Sequence, residues 1–234
     1  MVNPTRAVDE GYLNFLLEMV LDERKQRFEE VLAQRTRHIT IVLEDIFQSQ
    51  NASAVLRSCD LTGVQDVHII ENKYAFDIHP DIVLGSAKWL SLYRYNATAN
   101  NTLDALSGLK RAGYIIVAAS PHQQSHTIED LPLDKPMAIM LGTERRGLSA
   151  EAMEMADTHV TIPMVGFTES FNVSVSAALL LFNLTQRLRR SAVHWELTEN
   201  DRNEVLLEWC RHSVKRIEVV ERNYFSKIKP DMAV

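Results

Sequence analysis

Apolar residues recur along this chain with two periods, and the alternation between them lays out most of its elements. Residues 8 to about 36 carry Leu13, Leu16, Leu17, Val20 and Leu21, then Phe28, Val31 and Leu32, at a spacing that predicts one or two helices. The run Ile39-Thr40-Ile41-Val42-Leu43 predicts a strand. A helix is expected from about Ser53 to Leu61, with Asn51 near its start and Gly63 placed to end it. Further strands are expected at Val67–Ile70, Leu90–Tyr95, Tyr114–Ala119, Met137–Leu141 and Val160–Ile162. Helices are expected at Thr102–Ala112, Ala150–Ala156 and from about Asn172 to Arg190. The tail opens on the capping-box-like Thr198-Glu199-Asn200-Asp201 and continues with Val205, Leu206, Trp209, Cys210, Ile217 and Val220, a packing or dimerising helix.

Strands that read as continuous apolar runs between helices indicate an α/β fold with a parallel sheet covered on both faces. Ligands in such sheets sit beyond the carboxyl ends of the strands. Three loops take that position: Ala119–His122, Gly142–Gly147 and Pro163–Ser170.

At 234 residues, 46% hydrophobic and 24% charged, the chain has the make-up of a soluble globular protein, one domain with appendages. Neither a membrane span nor a signal peptide is expected. Cys59 and Cys210 are far apart and belong to no metal-spaced cluster, so no disulfide, no metal and a reducing cytoplasm are expected. The net charge of −6 argues against coating nucleic acid by charge alone. Basic residues nevertheless cluster at Arg24, Lys25, Arg27, Arg35 and Arg37, at Arg187, Arg189 and Arg190, and at Lys227 and Lys229. Each cluster fits either an RNA contact or a solvated helix face.

Three segments carry candidate chemistry. Asn51 precedes Arg57 by six residues, so both can lie near one helix edge, although Arg57 could simply pair with Asp60. Leu141-Gly142-Thr143-Glu144-Arg145-Arg146-Gly147-Leu148 brackets charged residues with glycines after a strand, as a plain turn or a loop with backbone open to a ligand. It matches neither phosphate-binding glycine motif of nucleotide folds. The stretch from Ile162 to Ala178 runs from a β-rich segment into a helix beginning with Asn, Ser and Ala, where Ser170 and Asn172 flank Phe171. Such a start either packs tightly or leaves backbone N–H groups for an anion.

In this order the three segments resemble the SpoU/TrmH family of the SPOUT methyltransferases, over residues from about 24 to 190 and including Gly85-Ser86-Ala87-Lys88-Trp89. The resemblance implies a parallel sheet whose C-terminal part forms a deep trefoil knot, in a catalytic domain at 39–190 between helical extensions at 1–38 and 191–234. It implies S-adenosyl-L-methionine as cofactor, bound by Ala119, Gly142, Ile162, Met164 and Phe171, and a homodimer with sites near the subunit interface. The implied activity is 2'-O-ribose methylation of RNA, most nearly of tRNA at guanosine 18 of the D-loop. Ribosomal RNA as substrate and a catalytically silent RNA-binding homodimer are the alternatives.

The same resemblance makes Arg57 the residue that activates the ribose hydroxyl, supported by Asn51, with Glu144, Ser170 and Asn172 shaping the pocket. The hydroxyl must lose its proton during attack. Arg57 either accepts that proton, oriented by an RNA phosphate, or stays cationic and stabilises the developing alkoxide. The high pKa of arginine favours the second. The docking contacts with tRNA are expected from Arg24, Arg27, Arg35, Arg187, Arg189 and Arg190. Before Asn51 the chain departs from the pattern of the family it resembles, carrying Phe47-Gln48-Ser49-Gln50 where members usually have a basic or His residue just before the Asn.

Overall fold

In the computed structural model, residues 8–83, 85–122, 125–143 and 146–228 are described. They divide into two compact units, one spanning residues 35–196 and the other combining the segments before 35 and after 196.

The larger unit is built on seven strands: β1 (Ile39–Glu44), β2 (Asp66–Ile70), β3 (Ser91–Tyr95), β4 (Ile115–Ala119), β5 (His126–Thr127), β6 (Met137–Leu141) and β7 (Thr158–Thr161). They form one sheet in the order β3-β2-β1-β6-β4-β7-β5, and every ladder is parallel. All residues of β1 and β6 are buried, as expected for central strands covered on both faces. Their side chains alternate between two cores. Ile39, Ile41, Leu43, Ile139 and Leu141 join one, with Val55, Leu56, Leu180 and Leu184; Val42, Ala138 and Met140 join the other, with Leu106, Leu109 and Ala152.

Those partners lie on helices α3 (Ser49–Thr62) and α7 (Val173–Arg189) on one face, and α5 (Asn101–Arg111) and α6 (Ala150–Met155) on the other; a short α4 (Pro80–Val83) precedes β3. The expected strands and helices appear with small shifts, except that the tail expected as one helix is two, Glu199–Ser213 and Ile217–Ile228, parted where Arg216 takes a left-handed conformation (φ 54°). The helix placed at 53–61 starts earlier, at Ser49, because its cap residue Gln48 makes no side-chain capping bond and leaves no sequence signal. The helix ends at Gly63 in a left-handed conformation (φ 84°), as the sequence indicated. Strand β5 escaped notice: it is two half-buried residues long.

The smaller unit contains α1 (Glu10–Glu18), α2 (Asp22–Leu32), α8 (Glu199–Ser213) and α9 (Ile217–Ile228). Phe28 packs on Trp209 with ring centroids 5.4 Å apart, and the Tyr12 hydroxyl donates to Glu221 at 2.7 Å. Thr198 caps α8, its Oγ1 accepting from the Asp201 backbone N–H at 3.2 Å.

Candidate functional site

The loops after β4, β6 and β7 converge because their strands are neighbours, β6 beside β4 and β4 beside β7. Together with the start of α7 they enclose a cavity of about 500 Å³, within the range of small-molecule sites. Ala119, Gly142, Ile162, Met164 and Phe171 all line it, as do Ser170 and Glu169. The walls mix apolar faces (Leu141, Ile162, Met164, Leu180) with polar groups (Ser120, Thr143, Ser176).

The wall after β6 is a tight loop. Thr143 and Gly147 exchange backbone hydrogen bonds of 3.0 and 2.9 Å, and Gly147 has φ 65°. A Cβ on residue 142 would collide with the backbone of Gly147 and Leu148, so only glycine fits. The exit is anchored by Glu44, a buried carboxylate at the end of β1. Its oxygens accept from the Ser149 backbone N–H (2.8 Å), the Ser149 hydroxyl (2.7 Å) and Thr102 (2.6 Å), and Ser149 in turn caps α6. Glu144 lies outside the described residues.

Asn172 sits at the N-cap of α7, accepting from the Ser174 backbone N–H at 2.9 Å. Its amide donates to Asn51 Oδ1 at 3.2 Å, and Asn51 donates to Gln48 at 2.9 Å. The first and third candidate segments therefore touch. Arg57, further along α3, is exposed and lines neither this cavity nor a second one beside it. Among the described residues its guanidinium has no ion pair or hydrogen bond. The pairing with Asp60 that the spacing allowed does not form, because Asp60 is held by Arg35.

That pairing also removes Arg35 from the RNA-contact set. Its side chain is 1% exposed and bonds Asp60 through both carboxylate and backbone, and burial lowers its pKa against the opposing pull of Asp60. Arg187 is likewise committed, donating to the carbonyls of Ile128 (2.6 Å) and Leu131 (2.7 Å). Arg189 donates to the Thr62 carbonyl at 2.8 Å and lies over the Trp195 ring. These guanidiniums close loops and helix ends. Arg24, Arg27 and Arg190 remain exposed, with Arg27 paired to Glu30. Lys229 lies outside the described residues. No group of His, Cys, Asp and Glu that could hold a metal occurs among the described residues, and no described helix is long and apolar enough to cross a membrane.

The second cavity, about 470 Å³, opens beyond β1 and β2. Phe47, Gln48, Lys73 and Tyr74 line it, and Thr143, Arg146, Gly147 and Leu148 line both cavities. The loop after β2 is ordered by two carboxylates. Asp45 (φ 52°) accepts from the backbone N–H groups of Asn72 and Lys73, both at 2.8 Å. Glu71 accepts from Arg94 and from the Phe76 N–H, and the Arg94 hydrogen bond leads the causes that lower its pKa. Sequence reasoning named Phe47 only within the departure before Asn51 and did not single out Tyr74, Asp45 or Glu44, for which the carboxylate pair Glu44-Asp45 at a strand end was the available signal.

Fold and cavities define the class: a parallel α/β protein that takes a small molecule beyond the carboxyl ends of its strands. The chain belongs to the SpoU rRNA Methylase family, whose model matches residues 38–182. A tRNA (guanosine(18)-2'-O)-methyltransferase of Borreliella burgdorferi is 43% identical over 209 residues, covering 89% of this chain and 94% of that protein. The crystal structure of the A. aeolicus TrmH/SpoU tRNA modifying enzyme superposes with a TM-score of 0.73 at 28% identity, over 83% of this chain and 98% of that one. The SpoU methyltransferase AviRb of Streptomyces viridochromogenes, solved with AdoMet, shares the fold at a TM-score of 0.57 and 22% identity, over 70% and 62% of the two chains.

Proposed function

We propose that this chain transfers the methyl group of S-adenosyl-L-methionine to the 2'-hydroxyl of a tRNA ribose, at guanosine 18 as its relatives' name states. The observation that carries the reading is the junction of the first and third segments, Asn51 with Asn172, beside a cofactor-sized cavity walled by the second. The cavity suits the cofactor: apolar walls can take an adenine ring, and hydroxyl and backbone groups can take its polar ends. Ala119, Gly142, Ile162, Met164 and Phe171 would hold it. When bound, it supplies a methyl group on a sulfonium.

Arg57 would meet the ribose and its phosphate as a cation and stabilise the charge that grows on the 2'-oxygen as that oxygen takes the methyl group and its proton is released to solvent water. Asn51 and Asn172 hold the ends of α3 and α7 in register around that reaction, and Ser170 contributes a hydroxyl to the pocket.

The working form is a homodimer whose cavity is completed at the subunit interface. Arg57 lies outside the cavity of its own chain, and α7 exposes an apolar row at one helical face: Val175 (44%), Leu179 (38%) and Phe182 (65%). Pairing of two copies would cover that row and bring residue 57 of one to the cavity of the other. The sheet region carries the family's deep trefoil knot; β6 and β7, which fill positions between earlier strands, favour that threading. Arg24, Arg27 and Arg190 provide exposed cations for tRNA, and in sequence the helical extensions at 1–38 and 191–234 precede and follow the catalytic domain at 39–190. The protein works in the cytoplasm, where its buried cysteines Cys59 and Cys210 stay thiols.

The test is tritium transfer from labelled cofactor to unmodified tRNA, with ribosomal RNA alongside. Wild-type protein labels tRNA, and Arg57→Ala binds cofactor normally while losing most transfer. Near-normal turnover by that variant, or label only in ribosomal RNA, overturns the reading.

A further inference from the structure

The second cavity shares a wall with the cavity proposed above for the cofactor. At its mouth Phe47 and Tyr74 form an edge-on pair, ring centroids 5.0 Å apart and planes at 63°. Phe47 is 67% exposed and Tyr74 42%. Both are placed by rigid neighbours: Phe47 stands just before α3, and Tyr74 rides on the loop that Asp45 holds at the end of β2.

The charges around the pair are asymmetric. The carboxylates of Glu44 and Asp45 already accept several hydrogen bonds from the protein. Among the described residues the side chains of Lys73 and Arg146, which line the same cavity, have no ion-pair partner. Aromatic faces with unpaired cations beside them are the chemistry that holds an unstacked nucleobase and its phosphate. Gln48, also in the lining, accepts from Asn51 and so joins this cavity to the junction of α3 and α7.

The geometry points to Phe47 and Tyr74 as a stacking subsite for an RNA base next to the ribose that is methylated, with Lys73 and Arg146 taking its phosphate. This rests on the methyl-transfer reading above and adds the means by which the RNA is opened and gripped at that site. The pair grips substrate; it takes no part in the chemistry.

A tRNA transcript carrying 2-aminopurine beside the methylated ribose reads stacking directly, through fluorescence quenching on binding to the wild-type protein. With Phe47→Ala or Tyr74→Ala the quench disappears and KM for tRNA rises about tenfold or more, the scale of one lost base–aromatic stack. KM for S-adenosylmethionine stays put, kcat at saturating tRNA changes less than KM, and Phe47→Trp restores both quench and KM. No quench in wild type, or an unchanged KM in the alanine variants, overturns the subsite. So does a change in oligomeric mass with unaltered KM, which would assign the pair to contact with a second copy of the chain. Wild-type protein that labels no tRNA at all rejects the underlying reading instead.

Discussion

The amide of Asn172 donates to Asn51 at 3.2 Å, tying the cap of α7 to the first turn of α3. The same Asn172 side chain accepts from the Ser174 N–H, so one residue fixes a helix end and an interhelix contact together. Asn172→Ala should therefore cost about 1 kcal/mol of stability through the lost cap and also reduce methyl transfer. Asn172→Asp keeps the acceptor but loses the donor, so it should retain most stability while activity still falls. Thermal melts and tritium transfer on the two variants separate these effects; equal activity in Asp and wild type would show the link to be unimportant.

Gly142→Ala tests the tight wall between the cavities. The added methyl meets the backbone of Gly147 and Leu148, which cannot swing away as a side chain would. The loop must open, with a stability loss of about 1–3 kcal/mol and loss of cofactor binding by titration calorimetry. Unchanged affinity would mean that the loop does not shape that site.

Asp60→Ala removes the carboxylate paired with the Arg35 guanidinium, whose side chain is 1% exposed. Removing one partner of such a pair costs about 3–5 kcal/mol, trimmed here because Asp60 is 22% exposed. Denaturant unfolding should show a large drop in midpoint. A drop of under half a kcal/mol would place the pair among ordinary surface bridges.

Salt dependence separates cations that meet RNA from those that brace the fold. Arg190→Ala should lower tRNA affinity and flatten the plot of log affinity against log salt by about one unit of slope. Arg187→Ala should instead act through stability, since its donors are spent on Ile128 and Leu131. Filter binding across a salt series distinguishes them.

His68, buried on β2, stacks on Tyr93 and bonds the Tyr95 hydroxyl at 2.9 Å. Burial holds its pKa down at about 3, from an ordinary 6.5. The unfolded chain takes up this proton first as pH falls, so the histidine's contribution to stability is complete above about 6.5 and is lost progressively down to about 3. The slope is on the order of 1 kcal/mol per pH unit. In His68→Phe the fall in stability between pH 6 and 4 should be shallower, whatever the variant's offset at neutral pH; parallel pH curves for the two proteins would contradict this.

How far the sequence could be read follows from these particulars. β1 and β6 were plain because strands buried on both faces leave no polar alternation to confuse the period. β5 was hidden because two half-buried residues carry no period at all. The loops around the cofactor-sized cavity could be located from strand ends, yet the neighbouring aromatic pair could not. Phe47 and Tyr74 come together only through the parallel register that sets Glu44 beside Ile70. The basic residues misled for a related reason: a run of charge does not disclose which arginine turns inward, and Arg35 does.

The position of β6 between β1 and β4 has a consequence for synthesis. While the ribosome has made only the first four strands, β1 and β4 each present a bare edge towards a slot that the chain has yet to supply. Both edges wait for residues 137–141, so a nascent polypeptide stalled before that point holds two unjoined pieces with sticky flanks rather than a shortened enzyme. Translation pauses ahead of β6 thus set the interval in which this protein is most exposed to aggregation.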